Sequence, residues 1–320
     1  MKRLSLKKGL VALVASLAIF AAGCENAEDN GILDIGILSI MDHNSLNDAE
    51  QGFIDRMTEL GYEEGIDVVY HRMNAQGQQA NLYPMAGQLL KSSELVLGIG
   101  TPTIQALAVT EEEKPLLFTA VTDPITAGLA ASLDGSGRNV TGTSDQMPVE
   151  KQVELLMSLK PEVEKVGIIY NTGEVNSQIQ AEQAEAAIVA AGKTPVIRTV
   201  TSTNDVQQAL NSVMSEAELL YIPTDNIMAG AASTVGAVSE QYQVPVVAGS
   251  IDQVEDGGLA TYSLNYYELG RQTAEMAARV IEGEDPSTMS IEQAEELELY
   301  VNEDMAEALG IDPDSIQVAE

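Results

Sequence analysis

Short apolar runs alternate with amphipathic stretches along most of this chain. Runs at residues 34–40, 68–72, 95–99 and 116–121 are rich in Ile, Val and Leu and read as strands buried on both faces. Between them, residues 46–60, 80–91 and 101–109 carry helical spacing: Phe53, Ile54, Met57 and Leu60 share one face, and Gly61 ends that helix. Thr101 is expected as an N-cap, with Pro102 at the first helical position. Strands that alternate with helices predict parallel pairing and a doubly wound sheet.

The stretch NVTGTSD, residues 139–145, is expected to finish this sheet and cross to a second lobe, because a new series begins directly after it. Helices are predicted at 149–159, 177–191, 206–214 and 229–242, and strands at 166–170, 194–200, 219–222 and 246–248. Residues 258–263 read as a return crossing, 266–281 as a helix of the first lobe, and 297–301 and 304–309 as a strand and helix of the second. The expectation is therefore an α/β protein of two doubly wound parallel-sheet lobes joined by a three-segment hinge. Residues 32–141 plus 264–284 form one lobe, and 142–263 plus 285–320 the other.

The two halves echo each other. LLFTAVTDP (116–124) and LLYIPTDN (219–226) are apolar runs that end in Thr-Asp. Both Asp123 and Asp225 are thus expected at carboxyl ends of strands, where open α/β sheets bind ligands. A turn role, in which each carboxylate accepts backbone N–H groups, remains open for both.

The first residues change the cellular address. Lys2, Arg3, Lys7 and Lys8 precede an apolar core at 9–20, and Ala21, Ala22 and Gly23 lead to Cys24, the only cysteine. This is the layout of a signal peptide, residues 1–23. The run Ala-Ala-Gly-Cys resembles a bacterial lipobox, which makes Cys24 the lipidated first mature residue and residues 24–31 a tether to the membrane. The net charge is −33, and the signal holds four basic residues and no acidic ones, so the exported part is more acidic still. Such a surface repels phosphates and excludes nucleic acid as a partner.

Catalytic motifs are missing. There is no HExxH, no GxSxG and no Walker A lysine, and Gly98 and Gly100 fail the remaining dinucleotide spacing, so no cofactor and no metal is expected. Of the two histidines, His43 follows the first strand, which brings it near the expected cleft, and reads as a solvated or hydrogen-bonding loop residue rather than a catalyst. Binding suits the residues better. Thr101, Thr103, Asn176 and Ser177 stand at helix starts, where hydroxyls and free N–H groups attract a carboxylate, while Asp123 or Asp225 could accept an ammonium group. Together they would hold an amino-acid zwitterion. The rival classes are a hydrolase or isomerase using cleft carboxylates, and a binding protein that senses rather than transports.

The ordered motifs GIGTPTIQAL (98–107), FTAVTDPITAGL (118–129), NVTGTSD, YNTGEVNS (170–177), YIPTDN (221–226) and GLATYSLNYYELGRQTAEMA (258–277) resemble the TrpX-like substrate-binding lipoproteins of ABC importers. The likeness covers most of the mature chain, although Ser263 stands where the family has Gly after Thr-Tyr. It implies a type I periplasmic-binding-protein fold, an aromatic amino acid as ligand, an ABC permease with its ATPase as partners, and no catalysis. It also implies ligand-facing roles for Thr101, Asp123, Asp145, Glu174, Asn176, Ser177, Asp225 and Asn226. Tyr170 is the candidate stacking wall for an aromatic ring.

Overall fold

A computed structural model describes residues 31–111, 113–294 and 296–317. The signal peptide 1–23, Cys24 and the tether up to residue 30 lie outside the described residues. Everything below belongs to the compact unit Leu33–Glu320.

The first series comprises β1 (Leu33–Ser39), α1 (Asn44–Glu59), β2 (Val68–Asn74), α2 (Gln79–Ser92), β3 (Leu95–Ile99), α3 (Thr101–Thr110), β4 (Leu116–Val121) and β5 (Val140–Ser144). The second runs α4 (Val149–Leu159), β6 (Lys165–Asn171), α5 (Val175–Ala190), β7 (Thr194–Val200), α6 (Thr203–Met214), β8 (Leu219–Ile222), α7 (Asn226–Ala229), α8 (Ala232–Tyr242), β9 (Val246–Ala248), α9 (Ile251–Glu255) and β10 (Ala260–Ser263). It is followed by α10 (Tyr266–Ile281), β11 (Glu292–Gln293), β12 (Glu298–Val301) and α11 (Glu303–Leu309).

Two six-stranded sheets result, with orders β11-β5-β4-β3-β1-β2 and β12-β10-β9-β8-β6-β7. Each contains the same doubly wound order, the first strand of its series lying between the second and third, so the echo in the sequence is an echo in topology. Central strands are buried on both faces. In β8, Leu219 and Tyr221 join one core layer while Leu220 and Ile222 join the other, as the two-residue strand period demands. The edge strands β2 and β7 carry Arg72 and Arg198, which blunt them against further pairing.

Three details differ from the sequence expectation. All of β5 pairs with β4 in the first sheet, so the first crossing follows Ser144 rather than residue 141. The pair Glu292–Gln293 then extends the first sheet beside β5, which delays the third crossing until after Gln293; two polar residues carry no hydrophobic signal that would have marked them. The edge strand β12 runs antiparallel to β10, so the second sheet is parallel except at that edge.

The helix α10 returns from the second series to cover the first sheet. It packs against α1 at very close range: a Cβ at Gly52 would strike the Tyr267 carbonyl oxygen, and one at Gly270 the Ala49 carbonyl oxygen. Three connections, at 145–148, at 264–265 and between β11 and β12, therefore join the lobes.

Candidate functional site

The order of each sheet reverses beside its first strand, and in such sheets ligands meet the carboxyl ends of the strands around that point. The structure has a small interlobe cavity there, of about 20 Å³. The first lobe supplies His43 and Ser45 after β1, Thr101 after β3, Ala120 and Thr122 at the end of β4, and Tyr266 at the start of α10. From the second come Asn176 after β6, Thr224, Asp225 and Asn226 after β8, and Ser250 and Gln253 after β9; Asp145, just beyond β5, closes the ring. Ala120 adopts φ 56°, a left-handed conformation costly for a non-glycine residue, where the β4–β5 register shifts. That distortion turns the end of β4 at the cavity wall.

Several hydrogen bonds tie the lobes together around this space. His43 Nε2 lies 3.0 Å from Asn226 Oδ1. Ser45 Oγ donates to Asp252 Oδ2, and Gln79 Nε2 donates to the Gly173 carbonyl oxygen. The lobes meet in a closed arrangement whose cavity has room for a group about the size of one water molecule.

Three side-chain atoms of this lining are buried with no hydrogen-bond partner: His43 Nδ1, Asp145 Oδ1 and Asn176 Oδ1. The other atoms of these groups are engaged. Asp145 Oδ2 accepts from the Tyr266 hydroxyl at 2.7 Å, and Asn176 Nδ2 donates to the Thr224 carbonyl oxygen at 3.0 Å. Because buried polar groups are nearly always satisfied, three orphans around one small cavity mark a place for donors from outside the chain. Burial raises the Asp145 and Asp225 carboxyls above their ordinary range. Burial and the neighbouring Asp225 carboxylate push Glu174 up to about 7. Burial also holds the His43 imidazole below its ordinary value, against the opposing influence of Asn226, Asp252 and Asp42. Groups strained in this way favour a cation among them.

Of the residues singled out in the sequence, Thr101, Asp145, Asn176, Asp225 and Asn226 line the cavity. Glu174 and Ser177 stand behind it. Glu174 accepts from Asn171 Nδ2 at 2.9 Å and from Asn226 Nδ2, while Ser177 Oγ donates to the Thr224 carbonyl oxygen at 3.3 Å. Asp123 is not in the lining: its carboxylate accepts from the backbone N–H groups of Ile125 and Thr126 and from the Thr126 hydroxyl, which is the turn role. Asp225 is at the cavity, but Oδ1 caps α7 at Met228 N (3.0 Å) and Oδ2 accepts from Asn171 N (2.6 Å). The two carboxylates read as possible ammonium acceptors, Asp123 and Asp225, are thus both satisfied within the chain, and the lining carboxylate with an unpartnered oxygen is Asp145. Tyr170 packs half-buried against the second-lobe core rather than lining the cavity. Thr101 is the first residue of α3 and Gly100, at φ 91°, its N-cap; Thr103 Oγ1 donates back to the Gly100 carbonyl oxygen at 2.6 Å.

His43, Ser45, Thr122, Ser250, Gln253 and Tyr266 belong to the lining without having been assigned to it from the sequence. All follow strand ends, and Ser250 with Gln253 forms a capping box, a pattern visible as Ser-x-x-Gln. A larger groove of about 570 Å³ lies elsewhere, beside α10, Ala294 and Glu296 to Glu298. Its arginines are paired, Arg56 with Glu275 at 2.8 Å and Arg271 with Glu59 at 2.9 Å. Among the described residues no helix is long and apolar enough to cross a membrane.

The family described as ABC transporter substrate binding protein matches residues 34–319. A tyrosine-binding protein of Clostridioides difficile (strain R20291) is 34% identical over 277 residues, covering 86% of this chain and 80% of the relative. The crystal structure of an ABC domain from Streptococcus pneumoniae in complex with L-Trp is 33% identical, covers 89% of this chain and 97% of that one, and superposes with a TM-score of 0.85. A ligand-free, open structure of a Clostridium difficile substrate binding protein with adhesive properties is also 33% identical, covering 88% and 96%, but has a TM-score of 0.67. The chain belongs to the ABC transporter substrate binding protein family, with a type I periplasmic-binding-protein fold, and is an extracytoplasmic binding protein rather than an enzyme.

Proposed function

We propose that the protein captures an aromatic amino acid between its lobes and delivers it to an ABC permease, while a lipid on Cys24 holds it at the membrane. The observation that carries the amino-acid reading is the buried, unpartnered Asp145 Oδ1, with Asn176 Oδ1 across the same cavity. Both are acceptors, and a ligand ammonium group supplies both charge and donors to them. Thr101, at the start of α3, offers the α-carboxylate a hydroxyl at the positive end of the helix. The closed cavity holds only the head of such a ligand, so an aromatic side chain requires the lobes to part and close around it, as the open and ligand-bound relatives suggest. Preference for an aromatic side chain is supported by the tyrosine and L-Trp named for those relatives.

Isothermal titration with the twenty amino acids, followed by mass analysis of the recovered ligand, tests this reading. Tyrosine or tryptophan is expected to bind best and to be recovered unchanged. Silence across the panel would refute the amino-acid assignment. Replacing Cys24 with Ser should move the protein from the membrane to the soluble fraction, and retention on membranes would refute the anchor.

A further inference from the structure

The third orphan of the cavity, His43 Nδ1, is unlike the other two because it can change from acceptor to donor. Which state it takes follows from its neighbours. Asn226 Nδ2 donates to the Glu174 carboxylate, which leaves Asn226 Oδ1 facing His43. An amide oxygen accepts, so His43 Nε2 carries the hydrogen. In the neutral ring Nδ1 is then a bare lone pair, sealed from water on a residue that lines the same cavity as Asp145 and Asn176. Three acceptors surround a space the size of one small polar group, and an ammonium group has three hydrogens to give.

Resting on the amino-acid reading above, we propose that His43 is a ligand-contacting residue whose neutral Nδ1 accepts a hydrogen bond from the bound ammonium group, so that protonating this ring releases the ligand. A protonated His43 places an N–H and a positive charge against the ligand's own cation, which reverses the contact from attraction to repulsion. Because Nε2 bonds to Asn226 of the second lobe, the same ring couples ligand contact to lobe closure.

The charges facing the ring work in both directions. Asp42 in its own loop and Asp252 of α9 favour the protonated form, with Asp145 across the cavity, and Glu174 and Asp225 stand behind Asn226. Burial opposes them and keeps the free ring predominantly neutral near neutral pH. The ligand's ammonium group shifts the balance further towards neutral, so capture at mildly acidic pH expels a proton to solvent.

The test uses the whole exported chain and L-tyrosine or L-tryptophan as the probe. Affinity is expected to fall between about pH 8 and about pH 5, with proton release seen by calorimetry in two buffers of different ionisation enthalpy. The variant His43→Gln keeps a donor where Nε2 stands but removes the titrating acceptor. It should bind more weakly at about pH 8 and lose the slope towards acid. The hydroxy-acid analogues of the same two ligands should not weaken in parallel, because a hydroxyl can accept from the protonated ring. A flat wild-type profile overturns the inference, and so does an unchanged slope in His43→Gln, which would put the titration on Glu174 or Asp145. Should neither amino acid bind at any pH, the amino-acid reading fails and this inference with it. Binding without the slope overturns this inference alone.

Discussion

Replacing Asp145 with Asn should abolish tight binding while leaving the ligand-free protein at least as stable as before. Asp145 is 1% exposed, and its two oxygens have different fates: Oδ2 accepts from the Tyr266 hydroxyl at 2.7 Å, whereas Oδ1 is sealed with no partner. An Asn in the same place keeps the bond to Tyr266 through its amide oxygen and turns an NH₂ towards the cavity, where a donor meets the ligand's donors. Breaking a buried, hydrogen-bonded charge pair costs about 3–5 kcal/mol, which is roughly two to nearly four decades in Kd. Without ligand the balance has the opposite sign. A buried carboxylate oxygen lacking a partner carries a penalty of about 1–3 kcal/mol, and neutralising the group relieves part of it, raising Tm by about 2 °C in a chain of this size. Calorimetric titration with L-tryptophan and L-tyrosine, and thermal melting of ligand-free protein, read the two effects separately. Affinity within threefold of wild type would refute the role of Asp145. Lost binding together with a lowered Tm would refute it too, by showing that the carboxylate holds the fold.

Further outcomes follow from the same geometry. Glu174, pushed up to about 7, keeps in the folded state a proton that the unfolded chain has released, so stability should decrease as pH rises from about 4.5 through 7, by about 3 kcal/mol; Glu174→Gln should flatten that slope in denaturant titrations across pH. Asp225→Ala removes the acceptor of two backbone N–H groups, Met228 N and Asn171 N, and should lower stability by about 2–3 kcal/mol in urea unfolding, with any loss of affinity accompanied by that destabilisation. Ser45→Ala deletes a bond to Asp252 across the lobes and should weaken ligand binding about tenfold while small-angle scattering shows a larger share of open protein; equal affinity would remove this bond from the closing contacts.

The strand and helix order was legible because the buried strands are written as apolar runs and the covering helices as periodic ones, and the doubled topology was legible because LLFTAVTDP and LLYIPTDN repeat that writing. The strand β11 was not, since its pairing with β5 uses only backbone and its side chains are Glu and Gln. The antiparallel direction of β12 was equally silent, because an edge strand of four residues has the same pattern in either direction. Five of the ligand-facing residues expected from motif resemblance reach the cavity, because strand ends converge in this topology whatever the ligand. The roles of the two Thr-Asp motifs were not legible. Asp123 and Asp225 share a local sequence, but each finds backbone donors in its own following turn, and only the three-dimensional count of partners separates them from Asp145. His43 was undervalued for the same reason: what sets it apart is a partner, Asn226, that lies far along the chain.

The return of α10 to the first lobe also fixes an order of assembly. The apolar face of α1, with Ala49, Phe53 and Met57, meets its glycine-lined counterpart only when Tyr266–Ile281 has been made and exported. A chain that has reached residue 263 already carries five of the six strands of the second sheet and the helices α4–α9, but lacks the cover of the first. Contacts so distant in sequence form slowly, because a long loop must close before they contribute any stabilisation. The lobe encoded first therefore waits for a helix encoded after most of the second, and until then its exposed helix face is a surface on which exported chains can stick to one another.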